Sequence, residues 1–327
     1  MNLMMACRAA YIPLGVLAGM VSAFLAVRRQ GNTGRKAAEI VLLFALFAVP
    51  LCLIGARLLN CLLDSMNLYR LAEEPTLVFD PYFGGFALYG GMLGYLMACA
   101  LAAKVKGLRF LSLMDALSPA GLIVIAFVRL YEGFSGHGYS FDVENPAFCF
   151  FPLSIYDPDW EVWYLALFML EALYALAAAA VLLRRRPSAP GGNFCRGLLL
   201  YAGMQIWFES LRRDNYLRAV SGFVRIMQVI SMLIVTGILI AVLLRPAARP
   251  DRRAAAAAAH VLLLGGVVFF EFAVEYKIGF LEHFSKRVLT QAGHYWFCYG
   301  CMLLLVLAIM VNVFLSWRAA REAEHTA

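Results

Sequence analysis

Long apolar stretches separated by short polar connections form the dominant pattern of the chain. An α-helix needs about 20 predominantly apolar residues to cross the hydrocarbon core of a bilayer. We predict nine such spans, at 9–27, 38–58, 84–103, 112–131, 162–183, 194–211, 225–244, 258–276 and 294–316. The pattern therefore predicts an all-α fold, a polytopic transmembrane helical bundle.

Basic residues are concentrated in alternate connections between the spans. Lys and Arg follow the first, third, fifth, seventh and ninth spans, whereas the connection 131–161 has six acidic residues and no Lys or Arg. Because cytoplasmic loops are enriched in Lys and Arg, we predict that the N-terminus lies outside and the C-terminus in the cytoplasm. A segment with prolines and an alanine run at 245–257 predicts two parts, a seven-span body (1–245) and a two-span C-terminal extension (246–327).

Composition agrees with a membrane protein and excludes other classes. The chain is 63% hydrophobic and 15% charged, whereas soluble domains average about 45–50% apolar and about 25% charged residues. The net charge of +7 comes from basic residues between the spans, so we predict no nucleic-acid partner. The first apolar run lacks a small-residue cleavage site, and we expect it to be a retained span. The eight cysteines lack zinc-site spacing, so we predict no metal and no cofactor.

Polar side chains occur inside the apolar spans, near the ends predicted to be outside. Such residues are costly at membrane depth and mark functional sites by default. Tyr201, Gln205 and Glu209 are four residues apart and therefore share one helix face. Each polar residue alone is compatible with an interhelical hydrogen bond or a snorkelling end residue. Their concentration predicts a shared polar cavity, to which Arg57, Arg129 and Glu171 also contribute. Asp115, near the start of the fourth span, is a further polar residue at membrane depth.

Five glycines lie within residues 84–94, at the start of the third span. Two interpretations are open at this stage. Glycines let two helices approach closely, which is the commoner use. Alternatively, glycine backbone before a helix N-terminus forms an anion site, because free N–H groups and the helix dipole face the ligand.

The order of these residues resembles the prolipoprotein diacylglyceryl transferase family over about residues 10–245. The resemblance rests on Gly55-Ala56-Arg57-Leu58, the glycine-rich segment 84–94, Asp115 to Ala120, Arg129 to Gly136, Glu171, Tyr201 to Glu209, Gln228 and Ser231. Members of that family have seven spans with the N-terminus outside. They move a diacylglyceryl group from phosphatidylglycerol to the thiol of a lipobox cysteine and release glycerol phosphate. The resemblance implies a multi-pass protein of the bacterial cytoplasmic membrane, with phosphatidylglycerol and a prolipoprotein as partners.

The resemblance also implies site residues, with several departures from the family pattern: Ser135 replaces an asparagine, the histidine-proline and glutamine ahead of Glu171 are absent, and four further positions differ. Tyr89 replaces a histidine, Gln205 an arginine, Glu132 an asparagine and His137 a glutamate. The predicted catalytic residues are Arg129, Tyr89, Glu132, His137, Tyr201, Gln205 and Glu209. The predicted substrate-binding residues are Arg57, Gly90, Gly91, Gly136 and Glu171.

The departures change the expected chemistry of the pocket. Losing one arginine and gaining Glu132 makes it less positive by about two charges, which disfavours a doubly acidic leaving group. A tyrosine, with an unperturbed pKa of about 10, is a poor base near neutral pH. A histidine titrates near neutrality, so His137 is a candidate base, with a solvated loop residue as the equally open alternative.

The sequence is compatible with three interpretations of the function. The first is a membrane lipid transferase that moves a diacylglyceryl group from a phospholipid to an acceptor, which is a lipobox cysteine in the family. The alternative is a catalytically altered paralogue with another acceptor, or a non-catalytic membrane protein that binds lipid or a partner. A transporter is a further interpretation, because broken helices and buried charges also mark substrate paths.

Overall fold

The computed structural model describes residues 7–80, 85–185, 189–213, 223–245, 250–276 and 291–326. Long helices make up most of these residues, as the all-α prediction requires. The helices are α1 (Arg8–Arg29), α2 (Gly34–Leu63), α3 (Ser65–Glu73), α4 (Leu88–Lys106), α5 (Phe110–Phe134), α6 (Leu167–Arg184), α7 (Gly192–Leu211), α8 (Ile226–Leu243), α9 (Pro250–Tyr276) and α10 (Gln291–Thr326).

Eight helices of the described residues are long and apolar enough to cross a membrane: α1, α2, α4, α5, α6, α8, α9 and α10. They correspond to eight of the nine predicted spans and confirm a polytopic membrane protein. The remaining predicted span, 194–211, forms α7, whose 20 residues give a length of about 30 Å. Because α7 carries Arg196, Gln205 and Glu209, it falls outside the set of apolar helices.

The first compact unit, Met1–Gly197, is built on pairs of packed helices. Helix α2 packs along α4, α1 along α5, and α5 along α6. The α2–α4 crossing depends on glycine: a Cβ on Gly94 would lie 2.1 Å from the Leu51 carbonyl oxygen, and a Cβ on Gly90 would lie 2.2 Å from the Gly55 carbonyl oxygen. The two backbones are therefore in direct contact, which is the arrangement that small residues permit in membrane helices.

The connection between α5 and α6 contains a small β-hairpin that the sequence did not predict. Strand β1 (Ser154–Asp157) pairs antiparallel with β2 (Val162–Leu165), with Ser154 opposite Leu165. Residues 162–165 were predicted to begin the fifth span, but the helix begins only at Leu167. The buried side chains of Phe134, Ile155, Ala166 and Phe168 pack together and fix this connection on the adjoining ends of α5 and α6.

The second compact unit, Leu198–Ala327, contains most of α7 and the helices α8, α9 and α10. Helix α10 packs along both α9 and α8. The division between the compact units falls within α7, whereas the proline-containing segment predicts a boundary at residue 245. The boundary at residue 245, between the seven-span body and the C-terminal extension, stays a prediction.

Candidate functional site

A buried arginine between two carboxylates marks the C-terminal end of α5. The Nε atom of Arg129 lies 3.0 Å from Oε2 of Glu171 on α6, and its Nη1 donates to Oε2 of Glu132 at 2.5 Å. The exposed fraction of the side chain is 8% for Arg129, 0% for Glu171 and 24% for Glu132. Because the two pairings differ in burial, Glu171 is the fixed partner and Glu132 is the one that reaches solvent.

Close packing of α5 against α6 positions this ion-pair cluster, which we define as Arg129, Glu132 and Glu171. A Cβ on Gly133 would lie 2.0 Å from the ring of Phe168, so only glycine allows α6 to approach at this point. Tyr139 donates a hydrogen bond to the Gly133 carbonyl oxygen at 3.2 Å. Burial, with the Asp157 carboxylate as a smaller contribution, raises the pKa of Tyr139.

Two predicted residues lie in the turn that follows α5. Gly136 has a φ of +90°, a conformation that L side chains rarely adopt, which explains a glycine there. His137 is exposed, and its backbone N–H donates to the Glu132 carbonyl oxygen at 3.1 Å. Its Nδ1 atom lies 3.1 Å from the Ser135 carbonyl oxygen. The turn therefore links the His137 backbone to that of Glu132, a member of the ion-pair cluster. The His137 ring itself lies at the surface.

Arg57, predicted to bind substrate, holds the connection between α3 and α4 in place. Its guanidinium donates to the carbonyl oxygens of Val78 at 3.1 Å, Asp80 at 2.6 Å, Leu77 at 3.4 Å and Gly85 at 3.2 Å. These contacts give the side chain an evident structural role, and its predicted substrate role stays a prediction.

Asn60 shares this task with Arg57 and was not predicted. Its Oδ1 atom accepts a hydrogen bond from the Gly85 N–H at 2.9 Å, and the Asn60 side chain is completely buried. The available signal was an asparagine within an apolar helix, one turn after Arg57.

The glycines that open α4 serve mainly as a packing surface. Gly90 contacts the backbone of α2, and both the Gly90 and Gly91 N–H groups donate to the Ala87 carbonyl oxygen, at 3.1 and 3.3 Å. These two N–H groups are thus engaged in the first helical turn. This arrangement favours the close-packing interpretation over an anion site made by these two N–H groups. Tyr89, which directly precedes them in the chain, is 4% exposed.

In the second compact unit, α7 carries a buried polar face. Tyr201, Gln205 and Glu209 are 3%, 1% and 5% exposed, and Gln205 Nε2 donates to Glu209 Oε1 at 2.8 Å. Arg212 Nε lies 3.8 Å from the same Glu209 oxygen. The common face predicted from the four-residue spacing is therefore linked by a direct hydrogen bond between its last two members.

Asp115, a polar residue near the start of α5, caps the start of α7. Its carboxylate accepts hydrogen bonds from the backbone N–H groups of Gly191 at 2.8 Å, Asn193 at 2.8 Å and Phe194 at 2.9 Å. A carboxylate at a helix N-terminus satisfies orphan donors and complements the helix dipole. The sequence identified the residue but gave no sign of this partner, because the two are 76 residues or more apart.

The fold and these clusters define a polytopic membrane protein with buried ion pairs at helix ends. Residues 6–244 match the model of the prolipoprotein diacylglyceryl transferase family. The chain therefore belongs to this family, and the resemblance noted in the sequence is confirmed.

Similar proteins carry the name phosphatidylglycerol–prolipoprotein diacylglyceryl transferase. The protein of Paenarthrobacter aurescens is 27% identical over 226 residues, which covers 62% of this chain and 69% of the relative. The protein of Bacillus velezensis is 28% identical over 253 residues, covering 74% of this chain and 89% of the relative. The protein of Bacillus cytotoxicus is 29% identical over 253 residues, covering 74% and 88%.

Proposed function

We propose that this chain is a phosphatidylglycerol–prolipoprotein diacylglyceryl transferase of the bacterial cytoplasmic membrane, with its N-terminus outside. The observation that carries the proposal is the buried Arg129 at the end of α5, in a chain whose residues 6–244 match the family. The names of the relatives supply the donor and the acceptor. The seven-span body, 1–245, would hold the site, and residues 246–327 would form an extension.

The proposed reaction is a displacement at the glycerol carbon that bears the phosphate ester. The thiol sulfur of a prolipoprotein cysteine forms a C–S bond with this carbon while the C–O bond to phosphate breaks. Glycerol phosphate leaves with the electron pair of that bond, and the thiol gives up its proton. The side chains must therefore stabilise charge that develops on the leaving phosphate and must receive one proton.

Arg129 is the proposed partner of the phosphate. A guanidinium binds phosphate through parallel charge-assisted hydrogen bonds, and a rigid anchor makes these contacts more effective. Glu171, which is fully buried, would keep Nε in place. The phosphate would displace the partly exposed Glu132 from Nη1, so this carboxylate competes with the donor lipid.

The other predicted residues have subsidiary roles in the proposal. Gln205, bonded to Glu209, would orient the polar face of α7 together with Tyr201. His137, at the surface of the turn after α5, would receive the thiol proton. Tyr89, Gly90, Gly91, Gly136 and Arg57 would shape the substrate-binding side of the first compact unit.

The test is reconstitution of the full chain in liposomes with radiolabelled phosphatidylglycerol and a synthetic lipobox peptide. We expect a thioether-linked diacylglyceryl peptide and release of glycerol phosphate in equal amounts. A peptide with serine in place of the lipobox cysteine controls for the thiol, and liposomes of labelled phosphatidylethanolamine control for the donor. Label transferred to neither peptide, with the donor intact, would reject the proposal.

Two variants sharpen this test. Arg129→Ala should remove transfer, because the leaving phosphate loses its cation. Gln205→Arg should raise transfer, because it restores a positive charge on the polar face of α7 next to Glu209. Transfer of the label to another membrane component, with none on the thiol peptide, would identify a different acceptor.

A further inference from the structure

The C-terminal extension packs against the family part of the chain through buried polar contacts. Residues 250–326 contain α9 and α10 and lie beyond the family match, which ends at residue 244. On α9, Glu271 is 6% exposed, and its Oε1 atom accepts a hydrogen bond from Gln228 Nε2 of α8 at 2.6 Å. A buried carboxylate at membrane depth is costly and indicates a specific use.

Gln228 also contacts α7. Its Nε2 atom also lies 3.0 Å from the Ile206 carbonyl oxygen and 2.9 Å from Ser210 Oγ. The amide is 1% exposed, and among the described residues its Oε1 atom has no hydrogen-bond partner. The contacts of the amide nitrogen therefore set the orientation of the Gln228 amide. Of the three groups that this nitrogen contacts, the Glu271 carboxylate is the charged one.

Helix α10 contacts the same part of α7 independently. Trp207 Nε1 donates to the Tyr299 carbonyl oxygen at 2.9 Å, and a Cβ on Gly203 would lie 2.7 Å from Met310 Cγ. At 100° per residue, the positions that meet the extension lie on the face of α7 roughly opposite Tyr201, Gln205 and Glu209. These contacts with α10 thus lie on the side of α7 away from its polar face.

We infer that Glu271 is a positioning residue of the transferase site, which acts through Gln228 to fix the C-terminal half of α7. This inference rests on the proposed function, because the polar face of α7 belongs to the proposed site. Ser210, which Gln228 contacts, is the neighbour of Glu209 in the chain. Loss of the Glu271 carboxylate removes the charged one of the three contacts of the Gln228 amide nitrogen and lets the last turns of α7 shift.

Transfer kinetics of the full chain in liposomes provide the first test. For Glu271→Ala we expect kcat per folded protein to fall by about tenfold or more, with KM for phosphatidylglycerol nearly unchanged, because small displacements of a reacting group reduce the rate strongly. Glu271→Gln, whose amide oxygen still accepts from Gln228, should recover most of this loss. Glu275→Ala is the matched control: the same residue type, one turn further along α9, but exposed.

A double variant tests whether Glu271 acts through Gln228. If it does, Glu271→Ala combined with Gln228→Ala should lose no more activity than Gln228→Ala alone, since coupled residues are not additive. A lower yield of folded protein with unchanged kcat in Glu271→Ala would overturn the inference. Equal kcat for Glu271→Ala and Glu275→Ala would overturn it as well.

Amide hydrogen exchange provides a readout that needs no turnover. We expect Glu271→Ala, but not Glu275→Ala, to speed exchange in residues 203–211, because local opening follows from the loss of buried contacts. A wild-type chain that transfers nothing would reject the proposed function, while the exchange result would still decide whether Glu271 anchors α7. Unchanged exchange in Glu271→Ala would overturn the anchoring role.

Discussion

Arg129 and Glu171 form a buried ion pair that joins the C-terminal end of α5 to the N-terminal half of α6, with 3.0 Å between Nε and Oε2. The pair connects residues 42 positions apart and lies one helical turn from Gly133, which packs against Phe168 of α6. Because both side chains are removed from solvent, each depends on the other for the compensation of its charge. The pair is thus both a packing element and the fixed part of the proposed phosphate site.

Breaking this pair should destabilise the protein and abolish transfer. Removing one partner of a buried ion pair typically costs about 3–5 kcal/mol, because the other charge stays buried without its partner. We expect Glu171→Gln to lower the Tm of the purified protein in detergent and to reduce transfer. Arg318→Ala, which removes an exposed ion pair with Glu322 on α10, is the control and should leave both quantities unchanged. Wild-type Tm and rate in Glu171→Gln would contradict the assignment.

Removing the Glu132 carboxylate should tighten binding of the donor lipid. In the proposed site this carboxylate competes with the lipid phosphate for Nη1 of Arg129. The amide that replaces it in Glu132→Gln carries no charge and therefore competes less. We expect KM for phosphatidylglycerol to fall by about threefold to tenfold, which corresponds to about 1 kcal/mol of relieved competition. Kinetics at several salt concentrations check the electrostatic origin. A large fall in kcat with unchanged KM would instead assign Glu132 to the proton transfer.

Local patterns in the sequence predicted the helices better than the contacts between them. The apolar spans and the shared face of Tyr201, Gln205 and Glu209 follow from periodicity, because side chains four residues apart meet on any helix. The contact of Asp115 with the start of α7 does not, because it depends on how distant helices pack. The hairpin at 154–165 was missed for another reason. The residues of its second strand, 162–165, are aromatic and aliphatic and therefore extend the apolar pattern of the following helix.

The roles of the site residues could be predicted only in part. Arg129 was identified as a site cation, but its two carboxylate partners became evident only once α5 and α6 were packed. Arg57 was expected at the substrate and is found bonded to the backbone carbonyl oxygens of Leu77, Val78, Asp80 and Gly85, a role that no local pattern encodes. Glu271 was not among the predicted site residues, because its buried contact with Gln228 depends on how α9 packs against α8.

Adjacent glycines at the start of α4 should respond differently to alanine. A Cβ on Gly90 would lie 2.2 Å from a backbone oxygen of α2, whereas on Gly91 it would meet Ala56 and Cys52 at an ordinary 3.7 Å. We expect Gly90→Ala to cost about 1–3 kcal/mol or more through forced separation of the helices. Gly91→Ala should retain the wild-type Tm, measured by thermal unfolding. Loss of transfer in Gly91→Ala at unchanged Tm would show that this glycine contacts the substrate.

Gly133→Ala should disturb the ion-pair cluster without changing any of its three side chains. The added Cβ would overlap the ring of Phe168, so α5 and α6 must separate at the level where Arg129 meets Glu171. We expect a lower Tm and a fall in kcat of about tenfold or more, because a shift of about 1 Å at a reacting group has effects of this size. Thermal unfolding and transfer kinetics on the same preparation measure the two effects.

The matched control for Gly133→Ala is Gly237→Ala on α8. Within the part of the chain that the structure describes, no atom lies within 4 Å of a Cβ at Gly237, so alanine there adds no overlap and should preserve both Tm and kcat. Addition of Phe168→Leu to Gly133→Ala should recover part of the loss, because the smaller side chain makes room for the new methyl group. Recovery of Tm together with kcat would tie the rate to the spacing of α5 and α6. Normal Tm and kcat in Gly133→Ala alone would show that the spacing of these helices does not control the site.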